Sequence, residues 1–189
     1  MHVLGIMGSP RIQGNTDLLI DEALKGAQSA GATVEKVIVS SLSIAPCAEY
    51  YACLKDGKCV IRDDMDVLYD KLLTADRIII ASPMFFYGIS AQLKGLIDRC
   101  QALWARKYIL KQEPPDTGRK GAFIAVGATR GEKLFDGSIL TIRFFFKCLD
   151  VAYADELLIR GVDRKGEIKE HPTALVDAFN LGKKLVEAQ

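Results

Sequence analysis

Five short apolar runs, set between stretches of helical pattern, constrain this chain more than any other feature. Val3 to Met7, Val34 to Val39, Ile78 to Ala81, Ala122 to Val126 and Ala152 to Ile159 are rich in branched side chains and too short for helices, so each reads as a strand. Between them, residues 16–30, 64–74, 91–104 and 132–149 carry apolar residues at helical spacing. A last helix follows Pro172, with Leu175, Phe179, Gly182 and Val186 on its pattern. Runs that are apolar throughout, rather than alternating, belong to a parallel sheet covered on both faces, and regular strand–helix alternation makes the crossovers right-handed. The expected architecture is an α/β fold: a doubly wound, five-stranded parallel sheet in a three-layer α/β/α sandwich. Its longer loops fall at 40–63, 105–119 and 160–171. A chain of 189 residues, 49% hydrophobic, can bury one sizeable core, so one domain over 1–189 is expected.

Charge narrows the partners. With 25 Lys+Arg against 24 Asp+Glu, no global field draws the chain to nucleic acid or to an acidic membrane surface, and a small-molecule partner is expected. MHVLGIMGSP lacks a basic leader and soon meets Gly8, Ser9, Pro10 and Arg11, so it does not read as a signal peptide. No apolar run reaches membrane-spanning length. Five cysteines, an odd number, favour reduced thiols and a cytoplasmic setting.

A doubly wound sheet binds ligands outside the carboxyl ends of its strands, which gives weight to the turns there. The first is GSPRIQGNT, residues 8–16. A strand-to-helix turn exposes unpaired amide N–H groups, and the helix dipole adds positive charge. Ser9 and Thr16 offer hydroxyls, Asn15 an amide and Arg11 a fork of charged donors, while Gly8 and Gly14 let backbone approach closely. The donor set suits a single phosphate; a plain turn with a capped helix is the alternative for this stretch alone. No lysine follows Gly14, so this is not a Walker A loop. Nor is it G-x-G-x-x-G, and the second strand closes on Ser40 and Ser41 instead of an acid.

The second turn, in ASPMFFYGISAQLKGLIDRC, is stiffened by Pro83. Met84, Phe85, Phe86 and Tyr87 then supply flat or polarizable surface, Gly88 leaves room for a planar group, and Ser90 can cap the next helix. The third, VGATRGEK, offers Thr129, Arg130 and Gly131. Either could be ordinary core or loop alone; together, three such turns on one rim form a site.

GSPRIQGNT, SPMFFYGISAQLKGLIDR and GATRGE, in this order, resemble the flavodoxin-like NADPH-dependent FMN reductase family, in particular its iron–sulfur flavoprotein branch, over nearly the whole chain. The resemblance implies FMN, its phosphate held by Ser9, Arg11, Asn15 and Thr16 about Gly14. The ring would lie along Pro83 to Gly88, with Thr129 to Gly131 closing over it. It implies NAD(P)H as co-substrate, a small-molecule or redox-protein electron acceptor, and a homodimer or homotetramer in which AQLKGLIDR is an interface helix. The flavin carries the chemistry, so no catalytic side chain is singled out. An electron carrier fed by ferredoxin is the alternative, against which the near-neutral charge argues.

CAEYYACLKDGKC gathers Cys47, Cys53 and Cys59 in one polar loop, unlike Cys148, which sits singly in a helical pattern. In the iron–sulfur branch this loop resembles a four-cysteine cluster motif, but Tyr50 holds the second position. A phenol is a hard substitute for a thiolate, so no cluster is expected and the loop reads as a flap or interface; three thiolates alone would suit a three-iron cluster or one with a labile fourth iron. The spacing and the lack of a nearby histidine disfavour zinc. Neither His2 nor His171 has a ligand-like neighbourhood.

Overall fold

In the computed structural model, which describes residues 1–112 and 118–187, the five runs do pair as one sheet. In chain order the main elements are β1 (His2–Met7), α1 (Asn15–Ser29), β2 (Thr33–Ile38), α2 (Met65–Thr74), β3 (Arg77–Pro83), α3 (Ala91–Arg99), β4 (Lys120–Gly127), α4 (Asp136–Cys148), β5 (Ala152–Arg160) and α5 (Ala174–Glu187). The strand order is β2-β1-β3-β4-β5, every pair parallel, which is the flavodoxin-like arrangement. Chain order reverses between β1 and β3, so the crevice beyond their carboxyl ends is where this topology seats a ligand.

Alternate strand residues feed two cores. Leu4, Ile6, Ile78, Ile80 and Phe123 point to one face, where α2, α3 and α4 add Leu72, Leu96 and Phe146. Val3, Met7, Ile79, Ala122 and Ile124 point to the other, against Ile20 and Ala23 of α1 and Leu181 of α5. Helices α1 and α5 touch backbone to backbone: a Cβ on Gly182 would fall 1.8 Å from Ala23 O, and one on Gly26 1.9 Å from Phe179 O.

Several expectations about the elements need correction. The outer strands are not apolar throughout: β5 exposes Ala152, Ala154 and Glu156, because an edge strand has a neighbour on one side only. Val39 leaves β2 for a 3₁₀ turn, Val39–Ser41. The helical stretch 91–104 breaks at Cys100, whose backbone (φ −72°, ψ 6°) closes α3 before the short helix Gln101–Trp104. A π-helical turn, Ala105–Ile109, then occupies the start of the expected 105–119 loop, of which 113–117 lie outside the described residues. Helix α4 starts at Asp136 and not near 132, since Leu134 N and Asp136 N close separate turns onto Gly131 O and Lys133 O. The 40–63 and 160–171 loops each hold one helical turn, Cys53–Asp56 and Glu167–Glu170. Among the described residues no helix is long and apolar enough to cross a membrane.

Candidate cofactor site

The turn after β1 is built for close approach. Gly8 N donates to Ala81 O at 2.8 Å and Ser90 Oγ donates to Gly8 O at 2.5 Å, so the turns after β1 and β3 are tied together. Ser90 Oγ also accepts from Leu93 N, capping α3 as its position suggested. Gly14 begins α1, and a Cβ there would stand 2.9 Å from Arg11 O, the acceptor of Gly14 N. Helix α1 has no side-chain cap, although Asn15, Thr16 and Asp17 in its first turn are buried. A buried, uncapped helix start leaves amide donors for an outside acceptor.

These donors open on a cavity of about 240 Å³ lined from four strand ends. Ser9, Arg11, Asn15 and Thr16 come from the first turn, and Pro83, Met84 and Phe85 from the second. Val126 and Ala128 lie at the end of β4, and Val162 and Asp163 follow β5. Among the described residues Thr16 Oγ1 makes no hydrogen bond, so its hydroxyl is available. Arg11 is exposed and reaches across the cavity to Asp163 O at a long 3.4 Å. Ser9 is buried, and its Oγ accepts from Arg11 N at 3.1 Å. The Asn15 side chain makes two contacts with the protein itself: Nδ2 donates to Arg164 O (2.9 Å) and Oδ1 accepts from Ile168 N (3.2 Å), pinning the 160–171 loop to α1. Asp17, an acid near an anion seat, accepts from Gln13 N and pairs with Lys36 at 2.8 Å. Burial opposes charge on Lys36, but hydrogen bonds to Asp17 and Asp21 outweigh it and hold its pKa above the ordinary lysine value.

The aromatic stretch is a tight two-residue turn. Phe85 and Gly88 exchange both backbone hydrogen bonds (2.9 and 3.0 Å), and Phe86 (φ 50°) and Tyr87 (φ 62°) are both left-handed. Asn-Gly normally fills such a turn; two bulky aromatics there store strain, which concentrates at ligand sites. Phe86 is wholly exposed, and Phe85 and Tyr87 are about half exposed. Tyr87 leans onto the third turn: a Cβ on Gly131 would come within 2.4 Å of its hydroxyl. Thr129 and Arg130 are exposed outside the cavity, and Arg130 lays its guanidinium against Gly161. The structure thus joins the first two turns in one cavity and brings the third to its aromatic rim.

Val162, Asp163 and Arg160 escaped sequence reading. Arg160 sits 4.7 Å over the Phe135 ring and donates to Gly131 O and Glu132 O, holding the third turn. Nothing local marks a loop that folds back from β5; only the fold brings it to α1.

Cys47, Cys53 and Cys59 line a second cavity, of about 340 Å³, with Tyr50 on the same wall. Buried Arg99 closes this loop, donating to Ala45 O (2.9 Å), Ile61 O (3.1 Å) and Asp63 Oδ2 (2.5 Å). Burial pushes the Cys53 thiol pKa up, and the neighbouring Cys59 and Cys47 add to the rise. No group of three described His, Cys, Asp or Glu side chains is arranged to hold a metal ion.

With this geometry in hand, the comparisons are specific. A sequence model of the NADPH-dependent FMN reductase family matches residues 1–137. An iron-sulfur flavoprotein of Methanocaldococcus jannaschii is 35% identical over 193 residues, covering 99% of this chain and 96% of its own length. A Bacillus subtilis protein named as an NAD(P)H-dependent FMN-containing oxidoreductase is 29% identical, covering 97% of this chain and 98% of its own. Among solved structures, a flavone reductase superposes with a TM-score of 0.75 at 23% identity, over 100% of this chain and 62% of that one, a likeness of fold.

Proposed function

Since the chain belongs to the NADPH-dependent FMN reductase family, we propose that it takes electrons from NAD(P)H through bound FMN and passes them to a small-molecule or redox-protein acceptor. When bound, FMN supplies the chemistry: it accepts a hydride and releases electrons singly or in pairs. The chain's own residues bind, orient and shield. The observation that carries this reading is the uncapped, buried start of α1 opening on a cavity whose other wall is the strained aromatic turn.

Thr16 Oγ1, the first-turn amides of α1 and the Arg11 guanidinium are the phosphate donors in this reading. Ser9 shapes the turn by accepting from Arg11 N, and Asn15 holds the loop that carries Val162 and Asp163 against the cavity. Met84, Phe85 and Tyr87 present the surface for the ring, with Gly131 beneath Tyr87 setting the height of the rim. Phe86, Leu140 and Phe144 are exposed apolar groups around the aromatic turn and α4, whereas α3 shows solvent the Lys94–Asp98 ion pair. These exposed apolar groups support an oligomer contact through α4 and the aromatic turn beside the α3 contact that the resemblance implies.

The test is an anaerobic absorbance titration of the FMN-loaded protein with NADPH and NADH. Bleaching of the oxidised-flavin band by a stoichiometric pyridine nucleotide within seconds is expected. A flavin that neither nucleotide reduces, yet reduced ferredoxin does, would replace this reading with that of an electron carrier.

A further inference from the structure

The cysteine loop is not absorbed by the flavin site, and its thiols are not equivalent. Cys47, Cys53 and Cys59 line one cavity of about 340 Å³, but among the described residues no three ligating side chains converge as a metal site would need. Of the three, Cys53 and Cys59 pack against the apolar core and Cys47 does not. The chain between these two doubles back. Gly57 N donates to Cys53 O at 2.9 Å, closing the helical turn Cys53–Asp56, and Gly57 itself is left-handed (φ 73°), which reverses the chain into Lys58 and Cys59. The reversal is braced from outside, since Arg106 Nε, in the π-helical turn, donates to Gly57 O at 2.8 Å.

Cys59 has surroundings that neither of the other two thiols shares. It also lines a second cavity, of about 350 Å³, bordered by Lys58, Arg62 and Arg106 and by Asp66 and Asp70, so a small molecule can reach it from two directions. Cys59 interacts with both the Arg99 guanidinium and the Tyr69 hydroxyl. Arg99 is 1% exposed, and its Nε is the one buried side-chain nitrogen or oxygen left without a hydrogen-bond partner among the described residues. An unspent donor on a buried cation is costly by itself and is worth most where negative charge develops. Such charge develops on a sulfur that gives up its proton and on the oxygen expelled from a peroxide. Burial raises the Cys53 thiol pKa, with Cys59 and Cys47 adding to the rise, which suits a thiol that attacks second.

We propose that Cys59 and Cys53 form a peroxide-reducing dithiol, in which Cys59 attacks a small hydroperoxide and Cys53 closes the disulfide. In the first step the Cys59 sulfur bonds the terminal peroxide oxygen as the O–O bond breaks. The sulfur loses two electrons, the peroxide gains them, and the Cys59 proton leaves with the departing oxygen as water or an alcohol. In the second step the Cys53 sulfur bonds the Cys59 sulfur, the S–O bond breaks, and the Cys53 proton leaves with that oxygen as water. An external dithiol returns the pair to its reduced form by exchange. This activity stands apart from the flavin reading.

The test uses the full chain, reduced with dithiothreitol, freed of reductant and metal by gel filtration in chelator, and treated anaerobically with about one equivalent of hydrogen peroxide. Remaining thiols are capped with N-ethylmaleimide and the protein is mapped by mass spectrometry. The wild type is expected to lose two of its five thiols and to yield the peptides of Cys53 and Cys59 joined. Cys53→Ser should leave Cys59 as a sulfenic acid that dimedone captures, and Cys59→Ser should consume peroxide at least about tenfold more slowly than the wild type. An unchanged thermal melt reports that each variant folds, and the wild-type map needs no variant. Five free thiols in the treated wild type, a disulfide that includes Cys47 in place of the Cys53–Cys59 link, or equal peroxide consumption by Cys59→Ser overturns the proposal. The Cys53–Cys59 link in a chain whose flavin neither nicotinamide nucleotide reduces would sink the flavin reading and leave this one standing.

Discussion

Thr16 offers a hydroxyl that no described residue uses, while Asn15, its neighbour, is committed to Arg164 and Ile168. That contrast divides the first turn into residues that meet a ligand and residues that shape the seat. In the proposed reading Arg11 belongs to the first group, since among the described residues its guanidinium makes only the long contact to Asp163 O. Arg11→Ala should weaken FMN binding by ~1.5 to 3 kcal/mol, roughly 10- to 150-fold, read by quenching of flavin fluorescence. Asp63 supports the other cavity. Burial tends to raise its carboxyl pKa, but the hydrogen bond from Arg99 and those from Ala45 N and Met65 N win and hold it below the ordinary 3.8. Its stabilising contribution is therefore complete above about pH 4 and is lost as pH falls through the lower folded value. Asp63→Asn leaves Arg99 buried without its counter-charge, at a cost of ~3 kcal/mol near neutrality, and should flatten the acid limb of the stability curve. Urea melts at several pH values check both; an unchanged acid limb would contradict the assignment.

At the level of elements, the aromatic turn and the α1–α5 contact make opposite demands. Replacing Phe86 and Tyr87 together by Asn and Gly should stabilise the apo protein by about 1 to 2 kcal/mol, because those residues suit left-handed backbone, while weakening flavin binding. Gly182→Ala would push a methyl into Ala23 O and should cost ~3 kcal/mol, about 6 to 12 °C in Tm, by calorimetry. What the sequence made legible follows from range. The strands of β1, β3 and β4 were readable because burial on both faces leaves them uniformly apolar, and the cap at Ser90 because it acts three residues away. The break at Cys100 and the late start of α4 depend on turn hydrogen bonds that periodicity does not register. The approach of Val162 and Asp163 to the first turn spans some 150 residues of chain, with Asn15 as its local anchor, and no local pattern announces it. Gly182 was visible as part of a helical pattern, but its reason, a backbone on the far side of the contact, was not.

For the molecule as a whole, one sheet positions both cavities from different elements. The carboxyl ends of β1, β3, β4 and β5 bear the proposed flavin seat, while the loop between β2 and α2 bears the thiols, braced by Arg99 at the end of α3. The family assignment and the strand order support a flavin nucleotide anchored chiefly by its phosphate at the start of α1. The most direct measurement compares the affinity of the apo protein for FMN with its affinity for riboflavin, which carries the same ring and ribityl chain without the phosphate. Anchoring at α1 predicts that FMN binds at least about 100-fold more tightly, as two charge-assisted hydrogen bonds of ~1.5 kcal/mol each would give. Equal affinities for the two flavins would contradict it.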